Sequence, residues 1–383
     1  MTDASPFRSV VLLSPAHPLR GGIASSSQRL ARELQQAGYE VTLYSFRLQY
    51  PDFLFPGKTQ YTDDPPPPGL DIVTRINAVN PLNWWAVGRE LARRRPDLLV
   101  VRFWLPVLAP ALGTICRLAR RNRHTRVIAI ADNITPHEAR PGDRLLTRYF
   151  AASVDGFIAL SRAVADEVRQ FSPRHPADYV PHPVYDNYGP QVSREEALVH
   201  LGLPADRRYL LFFGFVRRYK GLDLLLHALA DERLRDRNLF LLVAGEFYEA
   251  EESYRALVEA LHLGDRVRFD ADYIPAEEVK YYFGAADLVV QPYRTATQSG
   301  ISQLAYHFER PMVVTRVGGL PEFVEHGRAG YVVDVDAAAV ATAIDDFFRH
   351  DRRAAMTAGV RAGKKRFSWR RLVEGLEEMY AKL

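Results

Sequence analysis

The sequence predicts an α/β protein made of two βα domains. Short apolar, β-rich runs alternate with helical patterns along nearly the whole chain. The alternation stops once, at PHPVYDNYGP, and then restarts. A length of 383 residues, 47% of them apolar, suits two or three domains with ample core in each. Glycine and proline are near average usage at 24 and 25 residues, which excludes a collagen-like or broadly disordered chain.

In chain order, the first-half strands read SVVLLSP, EVTLYSF, DLLVVRF, RVIAIAD and DGFIALS. Helical patterns fill 25–37, 81–95, 106–123, 144–152 and 162–170. The segment 51–69, with its PPPP run, cannot sit inside a sheet and reads as a surface excursion. After the break, SREEALVHLGL opens with a Ser-x-x-Glu capping box. Strands YLLFFGF, LFLLVAG, RVRFDADY, DLVVQPY, PMVVTRV and GYVVD follow, with helices between them. From 337 to 383 the chain holds three helical patterns and no strand, and FSWRRLVEGLEEMYAKL carries apolar residues that need a partner surface. The expected division is 1–185, 186–365 and a terminal helix at 366–383. Two open α/β sheets would place a ligand at the carboxyl ends of their strands, in a cleft between the domains.

One cysteine, Cys116, rules out an intrachain disulfide framework or a multi-cysteine metal site and suits a reducing compartment. The opening apolar stretch, VVLL, is too short for a signal-peptide core. No apolar run approaches the ~18–20 residues of a membrane span. A cytoplasmic protein, soluble or peripheral on the inner face of the membrane, is expected. The net charge of +4 is uneven: residues 1–185 hold 23 Lys and Arg against 16 Asp and Glu, and the remainder 27 against 30. The excess includes Arg93, Arg94 and Arg95, then Arg117, Arg120, Arg121, Arg123 and Arg126. It points either to solvated helix ends or to an anionic surface. In the second case PVLAPALGTICRLARRNRHTR, apolar at one end and basic at the other, is the expected membrane contact. The absence of helix-turn-helix, RNP and zinc-finger patterns argues against nucleic acid.

Three strand-to-helix turns can hold an anion. Gly21 and Gly22 stand before a helix, where bare amides face outward without a Cβ in the way. Arg217, Arg218 and Lys220 stand between Gly214 and Gly221, so two or three cations can converge on a phosphate. Ser299, Gly300 and Ile301 open a third helix whose dipole favours negative charge. A fourth motif, AIADNITPHEARPGD, ends a first-half strand and carries Asn133, His137 and Glu138. His17, beside the Gly-Gly turn, is a further candidate on that side.

The order of Gly-Gly loop, KGLDLLL, LVAG, AADLVVQPY, QSGI and VGGLPEFVEHGRAGYVV resembles the retaining glycosyltransferases of family four, most specifically from Leu210 to Val333. The resemblance implies a GT-B fold of two Rossmann-like domains, the last helix returning to the first domain and the domains closing on the donor. It also implies metal-independent transfer from a nucleotide diphosphate sugar to a sugar, glycan or lipid-linked hydroxyl, in polysaccharide or glycolipid synthesis. By motif, Lys220 matches the phosphate-binding lysine. Arg217 or Arg218 replaces the arginine that Phe215 displaces. Tyr273 and Ile274 match the nucleobase loop, Ser299 to Ile301 the helix facing the diphosphate, and Gly22 the glycine approaching from the first domain. His137 matches the histidine near the reacting sugar, with Asn133, Glu138 and His17 on the acceptor side. The sequence departs from the Glu-x7-Glu element of the family, whose positions fall on Thr297 and Ala305. Gln298 and Gln303 can offer neutral hydrogen bonds in their place.

No metal site is expected. Asp270 and Asp272 have Asp-x-Asp spacing, but the resemblance implies that they lie where the family places its nucleobase loop. No resident cofactor is expected, since no lysine stands in a pyridoxal phosphate context. The resemblance leaves open a GT-B nucleotide-sugar epimerase or phosphorylase, and a noncatalytic sugar-nucleotide binder.

Overall fold

The computed structural model describes residues 6–50, 59–134, 141–296 and 299–383. The chain divides into two units, 1–183 with 368–383, and 184–367. Unit 1 runs β1 (Ser9–Leu13), α1 (Gly22–Gln36), β2 (Glu40–Leu48), β3 (Asp71–Asn77), α2 (Pro81–Arg94), β4 (Leu98–Phe103), α3 (Ala109–Arg120), β5 (Arg126–Ala131), α4 (Asp143–Ala151), β6 (Gly156–Ala159), α5 (Arg162–Phe171) and β7 (Ala177–Tyr179). Its strands form one parallel sheet in the order β3-β2-β1-β4-β5-β6-β7. Strand β4 is buried throughout, because helices cover both faces of such a sheet.

Unit 2 runs α6 (Arg194–Leu201), β8 (Arg208–Phe213), α7 (Leu222–Leu229), β9 (Leu239–Ala244), α8 (Glu251–Ala260), β10 (Val267–Asp270), α9 (Val279–Ala285), β11 (Leu288–Gln291), α10 (Gly300–His307), β12 (Met312–Thr315), α11 (Leu320–Phe323), β13 (Gly330–Val333), α12 (Ala337–Arg349) and α13 (Arg353–Gly363). Its sheet is also parallel, ordered β10-β9-β8-β11-β12-β13. Leu210, Phe212, Leu241 and Val243 of the strands pack with Leu225 and Leu226 of α7 and Val340 and Ile344 of α12. The last helix, α14 (Trp369–Ala381), belongs to unit 1, where it packs on α1. There Tyr39 donates to Glu377 at 2.6 Å, and the Arg29 guanidinium lies 5.3 Å from the Trp369 ring centre.

Three readings of the sequence need correction. Strand β3 follows directly on the proline-rich excursion, where no strand was expected. It is an edge strand with only Ile76 fully buried, so DIVTRIN lacks the apolar run that marks its neighbours. The helix expected over 106–123 is a short 3-10 turn at Pro106–Leu108 followed by α3. The third correction concerns the same segment as a membrane contact. Its apolar residues Leu112, Ile115, Cys116 and Ala119 are core. Arg117 donates to Ser153 and to the Tyr149 carbonyl, and Arg120 pairs with Asp155 at 2.5 Å. This helix therefore has no apolar face left to offer a bilayer.

Candidate functional site

In unit 2 the strand order reverses direction between β8 and β11, and an open α/β sheet leaves a crevice at the carboxyl ends of such a pair. The loop after β8 and the loop after β11 occupy that position. Gly214 leaves β8 at φ +88, packed so closely on Gly245 that a Cβ on the latter would meet its backbone at 2.7 Å. Phe215 turns onto Tyr248, with ring centres 4.5 Å apart, and the Arg217 guanidinium lies 4.7 Å from the same ring. A single 3-10 turn, Arg218–Lys220, then carries Lys220 into the interior while Arg218 stays exposed.

Lys220 is the central cation. Its ammonium and the Ile301 side chain both flank Gly214: a Cβ built on that glycine would stand 3.3 Å from Lys220 Nζ and 3.2 Å from Ile301 Cδ1. The ammonium also lies 5.6 Å from the Tyr293 ring centre. Burial first, and then the neighbouring Arg217 charge, lowers its pKa from 10.5 to about 7. Helix α10 begins beside it. Ser299 caps the helix by accepting from Ile301 N at 3.2 Å, and the first turn holds no acidic residue, so the positive end of the dipole stays uncompensated. Gly300 is needed for space, because a Cβ there would meet the Tyr185 ring at 2.7 Å. Ala305 is fully buried on the same helix. Gln303 is enclosed as well, and its amide Nε2 and Oε1 have no hydrogen-bond partner among the described residues. Thr297 and Gln298 lie outside the described residues.

Sequence reasoning missed the clamp that holds these two loops together. Arg294 donates to both Asp223 oxygens at 2.7 Å and to the Arg218 carbonyl at 3.3 Å, and its backbone N–H donates to the Tyr219 carbonyl. Burial works against the Asp223 carboxylate, but the Arg294 guanidinium prevails and holds its pKa below the ordinary range. Gly221 closes the turn at φ +68, where a side chain would overlap the Pro292 carbonyl oxygen. The signals were an aspartate one turn into KGLDLLL and an arginine at the end of QPYR. Removing the clamp tests its role as a positioning device. Arg294→Ala is expected to lower kcat/KM by about 10–100-fold, with no rescue by lysine, which lacks the fork. Loosening the enclosure of Lys220 is expected to raise the pH midpoint of donor binding above 7, which titration at several pH values reads directly.

Tyr273 is exposed and Ile274 half-buried, in the segment that follows β10. Asp270 accepts from Arg268 at 2.7 Å and Tyr282 at 2.8 Å. Among the described residues no group of three or more His, Cys, Asp or Glu could hold a metal ion.

In unit 1, Gly21 takes φ +110 and leaves the start of α1 without a side-chain cap or an acid in the first turn, and Gly22 is the first helical residue. The His17 ring is bound at 2.9 Å to the Asp64 carbonyl. His137 and Glu138 lie outside the described residues, and Asn133 stands half-buried just before them. Below that edge is a buried network that the motif reading also missed. Arg102 of β4 donates through Nε to Asp132 at 2.8 Å, makes a second bond to the same carboxylate, and reaches Ser26 Oγ at 3.3 Å. His182 donates through Nδ1 to the Pro183 carbonyl, and burial lowers its pKa to about 4, so the ring is neutral.

Known proteins resemble both units. Solved structures align over nearly the whole chain. One is a sucrose-phosphate synthase from Thermosynechococcus elongatus, with TM-score 0.74, 20% identity and 98% of each chain covered. Another is the Anabaena HepE protein crystallised with UDP and glucose, with TM-score 0.73, 17% identity and 98% and 100% covered. The two parallel sheets share the GT-B fold with these neighbours. In sequence, D-inositol 3-phosphate glycosyltransferases match. The one from Corynebacterium efficiens is 31% identical over 49% of this chain and 46% of its own length. The one from Streptomyces scabiei is 32% identical over 66% and 59%. The chain thus spans about half the length of the curated relatives it matches. The family model described as Glycosyltransferase Family 4 matches residues 20–187, and that of the group 1 glycosyl transferases matches 207–350. Through these two matches, which together take in most of its length, the chain belongs to the family-four glycosyltransferases.

Proposed function

We propose that the protein transfers a sugar, with retention and without a metal ion or resident cofactor, from a nucleotide diphosphate sugar to a hydroxyl acceptor in polysaccharide, glycolipid or lipid-linked glycan synthesis. The observation that carries this is the enclosed ammonium of Lys220 beside the start of α10, at the strand-order reversal of unit 2. A diphosphate leaving group gathers negative charge as the glycosidic bond breaks. Lys220, Arg217 and the amides at Ser299 to Ile301 offer preorganised positive potential for that charge. Retention follows if the acceptor hydroxyl attacks from the face that the diphosphate leaves, with the outgoing phosphate oxygen taking its proton. UDP and UDP-glucose in the HepE crystals support a nucleotide-sugar donor. The Gln303 amide, buried and without a partner among the described residues, supports an added ligand, because leaving a buried amide unpaired costs about 1–3 kcal/mol. We place the enzyme in the cytoplasm, against the inner face of the membrane; among the described residues no helix is long and apolar enough to cross one.

The test is a screen of sugar nucleotides, first for binding and then for nucleotide release with sugar, lipid-linked and phosphorylated polyol acceptors. Product anomeric configuration is read by NMR. Activity is expected to survive EDTA. Loss with chelator and recovery with Mg²⁺ or Mn²⁺ would contradict metal independence. Threonine and alanine at the Glu-x7-Glu positions favour a second reading, a relative that binds without turnover, and binding with no release for any acceptor would select it.

A further inference from the structure

The outward side of α2 is not built like the solvent face of an ordinary surface helix, which carries mixed charge. Leu82, Trp85, Ala86, Arg89 and Arg93 follow helical spacing and are all exposed, Leu82 by 80% and Trp85 by 50%. Val79, just before the helix, is 53% exposed. The opposite side is fixed in the core: Val87, Gly88 and Leu91 are buried, and a Cβ on Gly88 would meet Leu118 of α3 at 2.6 Å. The outward stripe therefore cannot rotate inward.

The stripe is apolar and aromatic at its start and cationic at its end. The Arg89 guanidinium lies 4.5 Å from the Trp85 ring centre. Among the described residues neither Arg89 nor Arg93 has a carboxylate within ion-pair distance. The nearby acid, Glu90, is half-buried and engaged by the Tyr44 hydroxyl and by Arg75. Arg95 and, at the end of the neighbouring α3, Arg121 and Arg123 are exposed too. About 12 Å of helix separates Trp85 from Arg93, so the helix meets a flat surface lengthwise. Tryptophan and leucine favour the boundary between headgroups and acyl chains, and arginine reaches from there to phosphate.

We propose that α2 is a membrane-contact helix that binds an anionic phospholipid surface, seating Val79, Leu82 and Trp85 at the headgroup boundary with Arg89 and Arg93 on lipid phosphates. The inference rests on the membrane placement proposed above and not on the transfer chemistry, so absence of vesicle binding by the wild type with sugar-nucleotide binding intact would refute it alone. It moves the expected membrane contact from the segment 106–126, whose apolar residues are core, to a helix whose exposed residues match the task.

The experiment is co-sedimentation of the full chain with phosphatidylcholine vesicles, with and without phosphatidylglycerol. The wild type is expected to bind only the anionic vesicles, and less so as salt rises. Leu82→Ser with Trp85→Ser, and separately Arg89→Glu with Arg93→Glu, are each expected to weaken binding by at least ~20-fold at unchanged circular dichroism. No binding by the wild type, or full binding by both variants, would overturn the proposal. So would self-association that both variants abolish in the absence of vesicle binding, since that would make the stripe a protein contact.

Discussion

Lys220→Ala is expected to lower kcat/KM by about 10²–10³-fold, the usual loss when one preorganised partner of a developing anion is removed. The pH dependence of donor binding isolates the cause. With its pKa near 7, Lys220 in the free protein is charged below that pH and increasingly neutral above it. Donor affinity should be flat below about pH 7. Above it, affinity should weaken by up to about tenfold per pH unit, because binding a diphosphate then requires proton uptake. Lys220→Arg should flatten the profile, since a guanidinium stays charged throughout. Arg217→Ala should cost less than its charge alone implies. It removes a proposed diphosphate contact, yet it also removes the repulsion that depresses Lys220, so the two positions will not be additive.

The same lysine weakens the fold that holds it. Its folded pKa lies below the ordinary 10.5, so below about pH 7 the full cost of burying an ammonium is present. That cost fades as pH rises from 7 toward 10.5, where the unfolded chain also loses the proton. Lys220→Met keeps the volume and drops the charge. It should weaken donor binding by about 10²–10³-fold while raising the Tm of unit 2 at pH 7 by about 4–8 °C, the equivalent of about 2 kcal/mol. A melting curve and a donor titration on one preparation test both halves. A lower Tm would contradict the strain assigned to this site, and unchanged donor binding would sink its phosphate role.

How much of this was legible in the sequence differs between elements for physical reasons. Buried parallel strands show themselves as apolar runs, so LLVVRF and LFLLVA needed no structure to be read. Edge strands do not: β3 is half polar because one side of it meets solvent. Glycine turns at strand ends pointed to the loops after β8 and β11, where the phosphate site is proposed, but they could not show that Gly300 makes room for Tyr185 or that Gly221 lies against Pro292. Those contacts join residues about 70 to 115 positions apart, beyond any local pattern. The arginine clusters misled because composition does not say which guanidiniums are already engaged. Arg117 and Arg120 are, whereas Arg89 and Arg93 have no carboxylate among the described residues within ion-pair distance.

The charged residue next to last in the otherwise apolar run of β4 leads to the other large expected effect. Arg102 and Asp132 are 3% and 5% exposed and bonded at both oxygens, so neither charge is solvated by bulk water. Arg102→Leu would strip Asp132 of its counter-charge inside the protein, which typically costs 3–5 kcal/mol. Part of the pair's role is placement. Asp132 directly follows β5, immediately before Asn133 and the segment that carries His137, and Arg102 ties it to Ser26 in the second turn of α1, just past Gly22. Arg102→Leu together with Asp132→Leu removes both charges and should recover most of the stability, since well-packed apolar residues can replace a buried ion pair at little cost. It should not recover activity if the pair also fixes the edge where the acceptor side is proposed. Urea unfolding of the two single variants and the double gives the coupling energy, and donor Kd set against kcat/KM separates placement from folding. A double variant as unstable as the singles would mean that the pair's worth lies in its other hydrogen bonds. One that is both stable and fully active would show that the pair contributes to the fold of unit 1 and nothing to catalysis.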